Sequence, residues 1–551
     1  MRLRAVSLAL TLLAACDGTP EPLDAGPDAS ADAGPVTWPA AEVPAETEPE
    51  PGILRALLTV DGFAPPANPS TSDSTPAEFN RTQVVRFYGA EEPDVRAVIV
   101  AMPGIFGGAG TFEQLARHLV RISLAAGEPV EVWAIDRRSN LLEDLRGVDA
   151  AEAMENADVA RGYYFRGETV GGEAFAGYRP QADVPFMSEW GVETHVEDLR
   201  AVIERVPEAQ RQAHVVLMGH SLGASLTETF AAWRFPDGVR GAELLAGIVL
   251  IDGAARTEAI DETQFMEGES GIMGTPGVDT IRSGTRYLAI PLLGLDVYPQ
   301  AEITSMDALY APSEVVDDRD RDMFLSTLMS LSVRAVPPMT NQAAFGWAFD
   351  DASNGLSFAA VSLGEPTGGP VESYDSLFGA TLQRPSDPDA TYDWVDAPDT
   401  SPAEETPLAN LAHSWIDGRT NFAEWYFPAR LSLDLSAVGG LAVPEDGWQA
   451  DAGLRAFDGA LVDAPVLAVA AALAPPERYD AMRDRIAAVG EGRPNAGATR
   501  DTEAGFRVVD ATDQTHLDPL TGSASGDGSV PAAILEFTMA NVQAGTVASP
   551  L

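Results

Sequence analysis

The sequence predicts an α/β protein: a mostly parallel sheet flanked by helices and broken by one large insertion. Three observations predict it. Apolar runs of strand length alternate with helical stretches between Arg96 and Asp252, the pattern of a parallel sheet. One strand–helix junction carries Gly219-His220-Ser221-Leu222-Gly223. The strand pattern lapses from about Ala254 to Gly459 and resumes at Ala464.

The elements follow in order. Ile53 to Val60 and Thr82 to Tyr88 cluster β-formers and read as edge strands that precede the parallel part. Arg96 to Met102 reads as a central strand, Thr111 to Ala126 as its crossover helix, and Val130 to Asp136 as the next strand. Trp190 to Val206 has the spacing of an amphipathic helix leading into the strand Ala213 to Met218. Ala224 to Phe235 reads as a helix stopped by Pro236-Asp237-Gly238, and Ala246 to Asp252 as a buried strand. Ala464 to Ala470 and Gly505 to Asp510 complete the sheet. The insertion between these blocks sits above the carboxyl edge, where ligands bind such sheets, and is expected to be a cap.

The 551 residues, 45% of them apolar, can fill a large core. A net charge of −48, with every basic residue an arginine, argues against nucleic acid and against anionic substrates or anionic lipid surfaces. The single cysteine, Cys16, excludes internal disulfides and a cysteine-based zinc site, and the six histidines do not cluster as metal ligands. No metal or cofactor is expected. Asp317 to Asp322 alternates acids but lacks the glycine and terminal glutamate of a calcium loop, so it reads as a solvated charge run.

Met1-Arg2-Leu3-Arg4 is a positive start, followed by an apolar run from Ala5 to Leu13 that is too short to span a membrane. Leu13-Ala14-Ala15-Cys16 resembles the lipobox of bacterial lipoproteins, in which the peptide is cut before a cysteine that becomes lipid-modified. That resemblance implies a lipid anchor on Cys16, an extracytoplasmic place in a bacterial envelope and a membrane as partner. Residues 17–50 are rich in Ala, Pro and acids and read as a disordered tether. The expected organisation is 1–16 signal peptide, 17–50 tether, 51–256 first part of the core, 257–460 cap and 461–551 second part of the core.

A strand, a sharp turn and a helix around Gly-x-Ser-x-Gly resemble the nucleophile elbow of the α/β-hydrolase family. The glycines two before and two after Ser221 let strand and helix pass without collision. A serine hydroxyl is a poor nucleophile at neutral pH and needs a base beside it. In the family that base is a histidine after the last strand, and His516 follows the strand ending at Asp510. Of the other histidines, His118 and His195 fall in helices, His214 begins the elbow strand, His220 is expected to point away, and His413 falls in the insertion. The orienting acid has two candidates. Most of the family carries it after the penultimate strand, where only Glu477 and Asp480 are near; pancreatic-type lipases carry it after the strand following the elbow, which matches Asp252. Asp252 ranks first and Glu477 second.

Acyl transfer also needs hydrogen-bond donors for a developing oxyanion. The resemblance implies the backbone N–H of Leu222 and one from the loop Pro103 to Gly108: Ile105, or Phe106 one step on. Asp136-Arg137-Arg138-Ser139-Asn140 reads as structural hydrogen bonding at the rim of the site. Phe422, Trp425, Tyr426 and Phe427 form either an acyl-pocket wall or the core face of a cap helix. The resemblance implies a serine hydrolase acting on a small or lipid-like carboxylic ester. A peptidase of the same fold, or a surface-binding protein that keeps the fold without catalysis, are the alternatives.

Overall fold

Nine strands build the central sheet: β1 (Glu46–Glu50), β2 (Ile53–Asp61), β3 (Arg81–Gly89), β4 (Ala97–Met102), β5 (Val130–Asp136), β6 (Val215–His220), β7 (Gly247–Ile251), β8 (Val466–Ala470) and β9 (Phe506–Asp510). The computed structural model describes residues 36–41, 44–91, 94–269, 274–290, 293–315, 336–376, 379–396, 406–416, 422–487, 505–523 and 529–548. The strands lie side by side in the order β9-β8-β7-β6-β4-β5-β3-β2-β1. From β9 to β5 neighbours are parallel, whereas β3, β2 and β1 add antiparallel. This is the α/β-hydrolase fold.

Every residue of β4, β5, β6, β7 and β8 is buried, as a sheet covered by helices on both faces requires. The covering helices include α1 (Glu113–Ala126), α2 (Val192–Ile203) and α3 (Leu222–Ala232). The chain runs from β4 through α1 to β5 on one side, then returns to β6 on the other side of β4. The carboxyl ends of β4 and β6 therefore flank the point where the connection reverses direction, the crevice where such sheets bind ligands.

The sequence places these elements with small shifts. Helix α3 starts at Leu222 and ends at Ala232, short of Phe235, because Trp233 adopts extended geometry. His214 closes a short helix, Glu208–His214, and the elbow strand begins one residue later. The strand Arg81–Gly89 is interior, not an edge, and so is Ile53–Asp61. The outer neighbour of Ile53–Asp61 is β1, which falls inside the expected tether, as does the short strand Thr37–Trp38. Ordered chain thus starts before residue 51. An acidic edge strand meets its backbone hydrogen-bond demand on one side and keeps its carboxylates in water, so composition alone misreads it. Glu50 is further held by Arg121, with Nη2 to Oε2 at 2.6 Å. Residues 1–35, including Cys16, and Asp317 to Asp322 lie outside the described residues.

Between β7 and β8 the described cap elements include α4 (Val297–Tyr310), α5 (Asn341–Phe349), α6 (Leu408–Ile416) and α7 (Ala429–Ala437). Among the described residues no helix is long and apolar enough to cross a membrane.

Candidate active site

Ser221 stands at the turn between β6 and α3 with φ 55° and ψ −122°. A non-glycine residue there is strained by roughly 1–3 kcal/mol, and the surrounding structure must over-determine it. It does: the Ser221 N–H donates to the Ile251 carbonyl at 2.9 Å, and the Ser221 carbonyl accepts from Ala224 at 3.0 Å. Close approach also fixes the glycines. A Cβ on Gly219 would meet the Gly223 carbonyl, and one on Gly223 would meet the carbonyl of Met102.

His516 follows β9 on the last loop, and its Nδ1 lies 2.6 Å from Oδ2 of Asp252. Both side chains are buried. Asp252 directly follows β7 at φ 43°, and its own N–H donates to Val469 of β8 at 2.9 Å. The loop after β8 wraps its carboxylate: Oδ1 accepts from Ala471 at 3.2 Å and from Ala474 at 2.7 Å, and Leu473 donates to both oxygens at 3.1 Å. Burial opposes ionisation, but the His516 hydrogen bond and charge and these N–H groups outweigh it, holding the carboxyl below its usual range. Glu477 sits exposed at the start of a short helix, Pro476–Tyr479, and it is Asp252 that His516 Nδ1 meets. The loop after β8 thus supplies donors to an acid on the neighbouring strand.

The loop bearing His516 is tied down by Asp518. That buried carboxylate accepts from Thr515 N at 2.8 Å, and from two cap residues: Ser362 N at 3.0 Å and Oγ at 2.9 Å, and Thr406 Oγ1 at 2.8 Å.

His220 does not point away, contrary to expectation. Its Nε2 donates to the His516 carbonyl at 2.9 Å, and the two rings lie 4.3 Å apart, tilted by 37°. Burial first, then the charge of His516, pulls its pKa down to about 3, so the ring stays neutral and keeps one N–H for this bond. Its position beside the serine was visible in the sequence; the ring direction follows only from the approach of the last loop.

The loop Pro103 to Gly108 leaves the end of β4 alongside Ser221. Its N–H groups at Ile105 and Phe106, and that of Leu222 at the start of α3, donate to no acceptor among the described residues. Phe106 has φ 56°. Arg137, at the end of β5, holds the loop from behind, donating to the carbonyls of Pro103 at 2.9 Å, Gly104 at 2.6 Å and Gly107 at 2.8 Å. Its charge is met by Glu424 of the cap at 2.7 Å, with both side chains buried. The 136–140 stretch is therefore hydrogen-bonding framework, as expected. The cap segment also pairs with the loop as a strand would: Gly107 bridges Ala423, Gly108 N–H donates to Phe422 and Glu424 N–H to Phe106, each at 2.8 Å.

Ser221, His220 and His516 line one cavity of about 80 Å³. Its other walls are mostly apolar. Gly104 to Gly107, Thr111 and Leu517 come from the core and the rest from the cap, among them Leu293 before α4, Val297 of α4, Phe349 of α5 and Trp415 of α6, with Tyr298 and Asn354 adding polar groups. The aromatic patch divides. Phe422 reaches the cavity and stacks on Trp415 at 4.5 Å. Trp425, Tyr426 and Phe427 instead pack in the core, against Tyr178 at 5.6 Å, Tyr287 at 5.1 Å and Phe106 at 5.5 Å respectively. They lie on the stretch leading into α7, not on a helix. Among the described residues no three His, Cys, Asp or Glu side chains converge as metal ligands.

A serine hydroxyl, an imidazole held by a buried carboxylate and unpaired N–H groups around an apolar cavity can together perform acyl transfer. No family model and no curated protein matches the sequence. Among solved structures, the chain is similar to a candidate lipase from Sulfolobus solfataricus at 12% identity and a TM-score of 0.43, covering 91% of this chain and 98% of that one. It is also similar to a thermophilic esterase from Thermogutta terrifontis at 11% identity and 0.31, covering 84% and 93%. A peroxisomal alpha-beta-hydrolase from Saccharomyces cerevisiae matches at 10% and 0.36, covering 89% and 88%. Likeness this distant assigns no role to any residue.

Proposed function

We propose that this protein is a serine hydrolase that cleaves carboxylic esters through an acyl-enzyme on Ser221. The observation that carries the reading is the Asp252–His516 hydrogen bond of 2.6 Å at the cavity that Ser221 lines. With Nδ1–H committed to the carboxylate, Nε2 is the basic nitrogen. It takes the Ser221 proton as the oxygen attacks the acyl carbon, and Asp252 stabilises the imidazolium that forms. The negative oxygen of the tetrahedral intermediate is met by the N–H of Leu222 and of Ile105, with Phe106 the alternative donor. His516 then protonates the departing alcohol. Water, deprotonated by the same imidazole, releases the acid and restores the serine. The chemistry calls on no cofactor.

The test is turnover of p-nitrophenyl butyrate by wild type, Ser221→Ala and His516→Ala. The reading expects a loss of at least about three orders of magnitude in kcat for each variant. A wild type no faster than both variants would overturn it. The lipobox resemblance adds a second element, an envelope location through lipid on Cys16. It expects Cys16→Ser to move the protein from the membrane fraction to the soluble one; unchanged fractionation contradicts it.

A further inference from the structure

We infer that the substrates are uncharged esters with short acyl chains, taken as dissolved single molecules and not from a lipid aggregate. The inference rests on the reading of Ser221 as the nucleophile.

The cavity gives the size. About 80 Å³ of water-accessible space beside Ser221 gives a short acyl chain room, whereas a fatty chain would have to run on out of it between the cap walls. Its walls give the polarity. Ile290, Leu293, Val297, Leu356 and Phe358 dominate the lining, and the cap supplies no ionised side chain beside the polar groups of Tyr298 and Asn354. A charged acyl group would lose most of its hydration there without meeting a counter-charge from the cap.

The walls cannot swing aside cheaply to admit more. Phe422 to Glu424 is paired in strand fashion with the loop carrying Ile105 and Phe106, so moving it would also displace those N–H groups. The buried Arg137–Glu424 pair pins the same segment to β5. On the opposite side, Ser362 and Thr406 of the cap are bonded to Asp518 beside His516. Cap and catalytic loops are therefore hydrogen-bonded to each other at these points. A lid that opened at these points would dismantle the site that it was meant to expose.

The described surface also suits a dissolved substrate better than a lipid aggregate. Docking to an aggregate needs exposed apolar side chains around the entrance. Among the described residues the exposed large hydrophobic side chains include Met154, Met266, Val315, Val371, Val395 and Leu473, and none of these lines the cavity. The net charge of −48 repels anionic lipid surfaces.

The test has three arms. Ser221 is first labelled with a methyl fluorophosphonate, which reports the nucleophile independently of chain length. Then kcat/KM is measured on p-nitrophenyl esters from acetate to palmitate, and tributyrin hydrolysis is followed through its solubility limit. The expected results are labelling at Ser221, a maximum between butyrate and hexanoate, a fall of about tenfold or more by dodecanoate and no rise in rate as droplets form. Leu293→Ala and Leu356→Ala should move the maximum to longer chains. Labelling accompanied by rising kcat/KM through dodecanoate, or by a jump at the solubility limit, overturns this inference and leaves the hydrolase reading standing. A folded protein that neither labels nor cleaves any ester overturns both.

Discussion

Asp252 and His516, 264 positions apart, meet through a 2.6 Å hydrogen bond between a carboxylate at the end of β7 and an imidazole on the last loop. The carboxylate is buried and already accepts from three backbone N–H groups of the loop after β8, so its direction is fixed before the histidine reaches it. Asp252→Asn presents an amide that can stabilise the wrong imidazole tautomer. We expect kcat to fall by about 10³–10⁴ with KM little changed, and Glu477→Gln to stay within about threefold of wild type. Steady-state kinetics on p-nitrophenyl butyrate decides; equal losses in the two variants would contradict the assignment.

Arg137 joins three carbonyls of the 103–107 segment to Glu424 of the cap. Arg137→Met strands a carboxylate in the interior and should lower unfolding free energy by about 3–5 kcal/mol. Replacing both, Arg137→Met with Glu424→Leu, should recover most of that stability in urea unfolding. It should not recover kcat, because the loop remains unheld. A double variant restored in both respects would show that Arg137 acts only through folding.

His220 links the elbow to the last loop through its bond to the His516 carbonyl. His220→Phe leaves that buried carbonyl unpaired, at about 1–3 kcal/mol, and should lower kcat by about tenfold or more. His220→Gln, which keeps a donor, should restore most of the rate. Equal behaviour of the two variants would remove the bond from the account.

His195 supplies a pH dependence. Its Nδ1 donates to the Gly191 carbonyl at 2.7 Å, and burial holds its pKa down to about 3. The unfolded chain takes a proton near pH 6.5 that the folded protein refuses. Stability from this residue is therefore full above about 6.5 and declines as pH falls toward about 3, by about 1.4 kcal/mol per unit within that window. Urea unfolding at about pH 7.5 and about pH 4.5 should show a smaller drop for His195→Gln than for wild type. The carboxyl groups that titrate over the same range are common to both proteins and cancel. Identical drops would contradict the sign.

What the sequence shows, it shows through local sterics and order. The elbow is legible because Gly219 and Gly223 are demanded by neighbours within a few residues. His516 is legible because the fold fixes where the last loop falls. Which acid orients the proposed base is ambiguous in sequence, because an aspartate at a strand end looks the same whether or not a loop wraps it. Only the structure shows Ala471, Leu473 and Ala474 turned toward Asp252. The Arg137–Glu424 pair joins positions 287 apart, and no periodicity or motif announces a contact made by a cap folding back on its core. The direction of the His220 ring is hidden in sequence for the same reason, being set by a contact with the last loop 296 positions on. Strand β1 is not legible, because its carboxylates mimic a solvated tether while its backbone bonds to β2.

The most direct measurement is mass spectrometry of the folded protein after treatment with a small fluorophosphonate. The account predicts one phosphonyl adduct, on the peptide carrying Ser221, abolished by Ser221→Ala and strongly slowed by His516→Ala. A wild type that stays unlabelled, or an adduct that persists in Ser221→Ala, would contradict it.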